Sequence, residues 1–335
     1  MARTLKLLFS VSLLLGMLVW IATHDGLTQT LAALERVTTP WLLAGVGVQL
    51  LAVLAGVARW RTLLASQQVA LGAGFLTRHY LIGRFVGVFT PSTLGLDGYR
   101  VVATSRETGR TAAGARAVLI EKGLSFASLA ATSFALLPLG AARFYGPAGL
   151  LASLGLGLGA LAGLYAMHRP AWLRAIARRS PPRLRGPLEK LVGALSADRI
   201  TTPQLLGACG LGAVTQLCGA ATFVCTGLAL HVGASPVELL VVGHAIVLAM
   251  LLPVSVAGAG LREGTAVAML GLVGVPMSDA LLVGVLGFVV TQPAAVLGGA
   301  LQVLEGARER QAKGAAQPAT PHAQPGLGMG VLSRG

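Results

Sequence analysis

Apolar residues in this chain fall in long blocks, and the lengths of those blocks define its elements. Runs with little or no charge cover Leu7–Thr23, Trp41–Ala58, Ala117–Leu139, Pro147–Met167, Leu205–Leu230 and Ala280–Leu304. A helix needs about 17 to 25 apolar residues to cross the hydrocarbon core of a bilayer, so the blocks predict six full crossings. Helices are required because a segment in lipid must satisfy its own backbone amides and carbonyls. The first block follows Arg3 and Lys6 in the manner of a signal peptide, but no small-x-small cleavage site follows Trp20, and it is read as a retained span.

Two further apolar regions are interrupted. Tyr80–Thr90 stops at Pro91, while Leu239–Leu252 stops at Pro253 and resumes at Gly264–Val275. Arms this short rise only about 16 to 21 Å at 1.5 Å per residue, against about 30 Å of hydrocarbon. They reach mid-membrane and turn back. Broken backbone at that depth is tolerated only against protein or a wet cavity, so the two regions are expected to be re-entrant hairpins.

Charge tests this topology. Lys and Arg total 26 against 12 acidic residues, a net charge of +14. Basic residues near span ends collect on the cytoplasmic side. With the N-terminus inside, six crossings and two hairpins leave only Arg36, Arg143 and Arg262 for the outer face. Treating each hairpin as a full crossing would turn the Arg-rich 168–204 loop outward. The first hairpin then enters from the cytoplasm and the second from outside, which makes the fold an inverted repeat.

The expected fold is therefore an all-α polytopic membrane protein with an integral domain over 1–304. Its repeats cover about 41–139 and 205–304, and a basic cytoplasmic loop, 168–204, joins them. Both termini face the cytoplasm of a bacterial inner membrane. The 305–335 tail, rich in Ala, Pro, Gly and Gln, cannot bury a core and is expected to be a disordered cytoplasmic segment. Between Arg169 and Thr202, Trp172, Leu173, Ile176, Leu184, Leu188, Leu191 and Leu195 alternate with cations, a pattern suited to short interfacial helices on anionic headgroups. A plain positive-inside loop explains the same charge.

Composition narrows the function. Hydrophobic residues make up 54% and charged residues 11%, with 45 Gly, so the basic charge belongs to a membrane protein and nucleic acid is excluded as a partner. Cys209, Cys218 and Cys225 share one apolar run and are read as small packing residues. The chain has no Gly-rich phosphate loop, nucleophile elbow or His-x-x-x-His pair, and His322 stands alone. Neither an enzyme nor a bound cofactor or metal is expected.

The chemistry sits at the two breaks. The first reads Pro91-Ser92-Thr93-Leu94-Gly95-Leu96-Asp97-Gly98-Tyr99-Arg100, and the second Pro253-Val254-Ser255-Val256-Ala257-Gly258-Ala259-Gly260-Leu261-Arg262-Glu263. Each runs from Pro through a hydroxyl and glycines to an acid and an Arg. Pro halts the incoming helix and Gly permits a tight turn. Broken helices at corresponding places in two halves point to a transporter's binding site. Asp97, Arg100, Arg262 and Glu263 must pair or line a wet cavity, since an ionised side chain costs about 2.5 to 3.5 kcal/mol at the bilayer centre. Pairing that only fixes the fold meets the same requirement. Glu121 pairs either with neighbouring Lys122 at the interface or with Arg100. His244, before the second break, is read as a hydrogen-bonded packing residue, with a proton relay as the alternative.

At these motifs the chain resembles the transmembrane family of lysylphosphatidylglycerol synthases, also found as stand-alone flippase-like proteins. A family pattern Pro-x-x-x-Gly-Gly-Asp-x-x-Arg is matched by Pro91, Gly95, Asp97 and Arg100, with Leu96 for the second Gly. Its Glu-Arg pair is matched by Glu121, with the conservative Lys122 in place of the Arg. The second pattern, Pro-x-Ser-x-Gly-Gly-x-Gly-x-Arg-Glu, is matched by Pro253, Ser255, Gly258, Gly260, Arg262 and Glu263, with Ala257 for the first Gly. The resemblance runs to about Glu305. It implies movement of an anionic, polyprenyl-linked, hopanoid or aminoacyl lipid, with these residues lining the path. The family's aminoacyl transfer needs a further soluble domain, so synthesis is not expected of residues 1–335. Two rivals stand beside lipid transport: a small-anion transporter of the same architecture, and a scaffold for an envelope-lipid or glycosyl-transfer enzyme. Oligomeric state is not legible.

Overall fold

The computed structural model of the chain describes residues 26–90, 94–168, 200–250 and 258–316, with positions 178, 179, 181, 185 and 186. Its elements are helical: α1 (Gly26–Glu35), α2 (Thr39–Ser66), α3 (Ala73–Val88), α4 (Leu94–Thr108), α5 (Thr111–Gly140), a π-helical turn (Ala141–Tyr145), α6 (Gly146–His168), α7 (Thr202–Ala229), α8 (Pro236–Ala249), α9 (Leu261–Gly271) and α10 (Met277–Ala316). Five segments are long and apolar enough to cross a membrane, lying in α2, α5, the π turn with α6, α7 and α10. They overlap five of the six predicted crossings. The sixth, Leu7–Thr23, lies outside the described residues, as does most of the basic loop.

Local chemistry sets the helix ends. Thr201 and Ser235 cap α7 and α8 by accepting from the amides of Gln204 and Glu238, whose side chains accept in return from the cap amides. Pro203 and Pro236 follow in the first turn, where a missing amide hydrogen costs nothing. Pro138, inside α5, leaves the Phe134 carbonyl without its usual helical donor, and Ser153 Oγ of α6 supplies one at 2.8 Å.

α10 corrects the expected tail boundary. The helix runs past Glu305 to Ala316. Ala, Arg, Glu, Gln and Lys dominate this stretch, and Glu309 stands four residues before Lys313. Such residues carry high helix propensity without needing a core to bury. Residues 317–335 lie outside the description.

Helices α2, α5, α7 and α10 form the centre: α2 packs on α5, α7 and α10, and α7 packs on α5 and α10. Small residues let them approach. A side chain at Gly45 of α2 would crowd Val290 of α10 at 2.9 Å and Cys225 of α7 at 3.3 Å. Between α2 and α7, Gln49 Nε2 donates to Thr222 Oγ1 at 2.6 Å. The three cysteines are free thiols on α7, Cys218 and Cys225 buried. The outer faces are apolar: Leu151, Leu158 and Leu161 of α6 stand exposed, as expected for surface in contact with acyl chains.

The short helices come in two pairs. α3 and α4 pack on one another, with α3 also against α2 and α10 and α4 against α5. α8 and α9 pack on one another, with α8 also against α7 and α5 and α9 against α10. α3 begins and α4 ends at one end of the bundle, where Arg110 donates to the Gln68 carbonyl at 2.7 Å and Arg78 pairs with Glu305. α8 begins and α9 ends at the other end. There the Thr38 amide donates to Ala229 O at 2.9 Å, Arg143 lies 3.5 Å from Glu238, and Arg36 lies 3.9 Å from Asp279.

Candidate functional site

Each helix pair carries a buried charge cluster beside its break. In the first, Asp97 occupies the opening turn of α4, where the helix dipole favours an acid, and Arg100 follows one turn later on the same face. Arg100 Nη2 donates to Asp97 Oδ1 and Nη1 to Glu121 Oε2 of α5, both at 2.7 Å. Lys122 Nζ lies 2.7 Å from the second oxygen of Asp97. The Arg100 guanidinium sits 5.4 Å from the Trp60 ring centroid and 5.5 Å from that of Tyr80. Arg100 is only 1% exposed, so its charge is held by protein rather than solvent.

A residue absent from the predicted set completes this cluster. Arg59, expected as a flanking cation at the end of its span, lies two turns inside α2 and is 3% exposed. It donates to Ser125 Oγ at 3.0 Å and to the Glu121 carbonyl at 3.2 Å. Its place was hidden because the uncharged run ends at Ala58 while the helix continues to Ser66. Trp60, Leu63 and Leu64, all fully buried beyond it, were the available signal.

In the second cluster, Arg262 and Glu263 open α9. Arg262 donates to Glu263 Oε1 through Nη2 and, at 3.1 Å, through Nε, while Glu263 Oε2 accepts from the Gly260 amide at 2.8 Å. The Arg262 guanidinium sits 4.8 Å from the Phe288 ring centroid on α10. Gly258 and Gly260 have φ of 76° and 79°, a left-handed backbone that glycine adopts without penalty. Gly95 is small for a different reason: a Cβ there would collide with Thr90 and crowd Val86 O at 2.9 Å.

A sequence profile described as Lysylphosphatidylglycerol synthase TM region matches residues 4–299. The chain belongs to this family. No curated protein and no solved structure matches it.

Within this lysylphosphatidylglycerol synthase transmembrane region, motif residues with described positions fall at the two clusters: Gly95, Asp97, Arg100, Glu121 and Lys122 at the first, Gly258, Gly260, Arg262 and Glu263 at the second. Pro91, Ser92, Pro253 and Ser255 lie outside the described residues. His244 of α8 belongs to neither cluster. It is 1% exposed, and its Nε2 is 2.8 Å from Ser133 Oγ of α5. Among the described residues no group of His, Cys, Asp and Glu is arranged to hold a metal ion.

Proposed function

We propose that this protein moves a lipid with an anionic or polyprenyl-linked headgroup between the leaflets of a bacterial inner membrane, and that it is a transporter rather than an enzyme. One observation carries the reading: two short helix pairs, entering from opposite ends of the bundle, each place a buried arginine–carboxylate cluster beside a Pro/Gly break. Buried ion pairs are a costly way to stabilise a fold and are retained where they serve a site.

The packing supports an inverted repeat. Exchanging α2 with α7, α3 with α8, α4 with α9 and α5 with α10 maps each contact among these helices onto another: α4 on α5 becomes α9 on α10, and α3 on α10 becomes α8 on α5. Each pair is then a re-entrant hairpin reaching mid-membrane from one face. Arg61, Arg78, Arg106 and Arg110 stand toward the end where α3 begins, which by the positive-inside rule supports a cytoplasmic assignment for that end. The 168–204 loop would lie against anionic headgroups on the same side. Rocking of one repeat against the other exposes the headgroup path to each leaflet in turn, with Arg100 and Arg262 facing the headgroup and Asp97, Glu121 and Glu263 positioning them.

The test compares lipids of the two leaflets in cells with the protein, without it, and with Arg100→Ala plus Arg262→Ala at matched levels of folded protein. Transport predicts one lipid class trapped on the cytoplasmic side in both the deletion and the double variant. A double variant indistinguishable from wild type would make the clusters structural and favour a scaffold for an envelope-lipid or glycosyl-transfer enzyme. Uptake of water-soluble anions into proteoliposomes, with no lipid movement, would favour the small-anion reading.

A further inference from the structure

Arg84 carries a charge into the first helix pair that no acid meets. It stands 11 residues beyond Ala73, where α3 begins, and so about 16 Å along the helix axis, roughly half the thickness of the hydrocarbon core. Arg78, nearer the start of α3, pairs with Glu305, and Arg100 pairs with Asp97 and Glu121. Arg84 has no hydrogen-bond or ion-pair partner among the described residues. An ionised side chain at such depth is costly unless water or an anion meets it, and membrane proteins keep one there to serve a site.

Helix geometry directs Arg84 inward. Each residue advances about 100°, which sets Arg84 about 40° from Tyr80 and about 100° from Phe85. Tyr80 fits against Gly56 of α2, where an added Cβ would collide with the phenol, and the Phe85 ring would stand 2.9 Å from a Cβ at Gly299 of α10. Arg84 therefore projects between α2 and α10, which pack on one another, rather than toward acyl chains. There is room beside it. Ile82 and Gly83 are buried, yet every residue from Arg84 to Val88 is partly accessible, Val88 being one turn further along the same side of α3. The α10 face that Phe85 touches also leads onward: three turns from Gly299, in line with it, Phe288 meets the Arg262 guanidinium at 4.8 Å.

Resting on the lipid-transport reading, we propose that Arg84 receives the phosphate oxyanion of the transported lipid at mid-membrane, on the stripe of α10 that leads to Arg262. A guanidinium can place two parallel hydrogen bonds on phosphate oxygens, a geometry that an ammonium does not reproduce. Arg84 supplies the free donors that Arg100, held by Asp97 and Glu121, has already committed.

The test uses the full chain purified in detergent and follows thermal unfolding as phosphatidylglycerol, diacylglycerol with the same acyl chains, or inorganic phosphate is added. Wild type is expected to show saturable stabilisation by phosphatidylglycerol and none by diacylglycerol. Arg84→Met should raise the half-saturating concentration about tenfold or more, Arg84→Lys should raise it less, and Arg61→Gln, on the exposed face of α2, should leave it unchanged. Without lipid, Arg84→Met should melt no lower than wild type, because the change strands no partner. A response to inorganic phosphate as well identifies the oxyanion itself as the ligand, and a response to the lipid alone identifies a phosphate carried on acyl chains. Should Arg84→Met fail to fold, Arg84→Gln carries the comparison. A wild-type lipid response in the variant, or no response of wild type to either phosphate compound, would overturn the assignment. Lipid movement lost in the Arg100→Ala plus Arg262→Ala protein but intact in Arg84→Met would overturn it while sparing the transport reading.

Discussion

Arg100 and Glu121 meet at 2.7 Å across 21 residues of chain, joining the helix after the first break to a central helix of the bundle. The bond is buried, so removing one side strands the other. Glu121→Ala leaves a guanidinium with half its compensation, and the expected loss is about 3 to 5 kcal/mol. Replacing Arg100 by Met and Glu121 by Leu together removes both charges and is expected to cost less than the two single changes summed. Chemical unfolding in mixed micelles across the double-mutant cycle reads the difference, and strict additivity would mean that the pair is not coupled.

The two breaks use glycine differently, and substitution should separate them. Gly260→Ala forces a left-handed backbone on an L-residue at the amide that Glu263 holds, an expected loss of about 1 to 2 kcal/mol. Gly98→Ala, on α4 with nothing within 4 Å of the added methyl, is expected to be neutral or to stabilise by up to about 1 kcal/mol. Thermal unfolding of the two variants side by side distinguishes them. Equal effects would show that backbone conformation at Gly260 does not govern that turn.

A third contrast concerns how α3 seats on α10. A methyl at Gly298 would collide with the backbone carbonyl of Leu81, which no rotamer change can move, whereas Gly47 on α2 has open space around it. Gly298→Ala should therefore push the first helix pair off the bundle, with a loss of about 1 to 3 kcal/mol and diminished transport, while Gly47→Ala leaves both near wild type. Limited proteolysis of the α2–α3 connection provides an independent readout. Unchanged protection in Gly298→Ala would contradict the packing.

These contrasts also show what the sequence made legible. Spans were readable because lipid demands long apolar runs, and five of the predicted six lie inside helices of the structure to within a residue. Asp97, Arg100, Arg262 and Glu263 stood out because charge beside a Pro/Gly break is expensive in a membrane. Arg59 did not. Hydropathy marks the end of a run rather than the end of a helix, so a cation two turns inside α2 looked like a flank. Nor does sequence say which of Lys122 and Arg100 a neighbouring acid will choose; the helix crossing decided that, giving Glu121 to Arg100 and Asp97 to both. The tail boundary was misplaced for a related reason, since helix propensity alone carries α10 to Ala316.

His244 tests whether a buried histidine serves packing or proton movement. Its Nε2 meets Ser133 Oγ at 2.8 Å, and its Nδ1 is buried without a partner. A relay needs a second group that exchanges protons, and no carboxylate contacts the ring among the described residues. The packing role predicts that Ser133→Ala, which removes the hydroxyl but keeps the ring, costs about 1 to 3 kcal/mol by stranding a second ring nitrogen. Adding His244→Phe in that background should recover part of the loss, because an apolar ring carries no unmet donor or acceptor into the helix contact. Lipid movement by His244→Gln, measured in proteoliposomes across the pH range over which histidine ordinarily titrates, should follow the wild-type profile. A shifted or flattened profile in a variant that folds normally would assign the ring to proton transfer and displace the packing account.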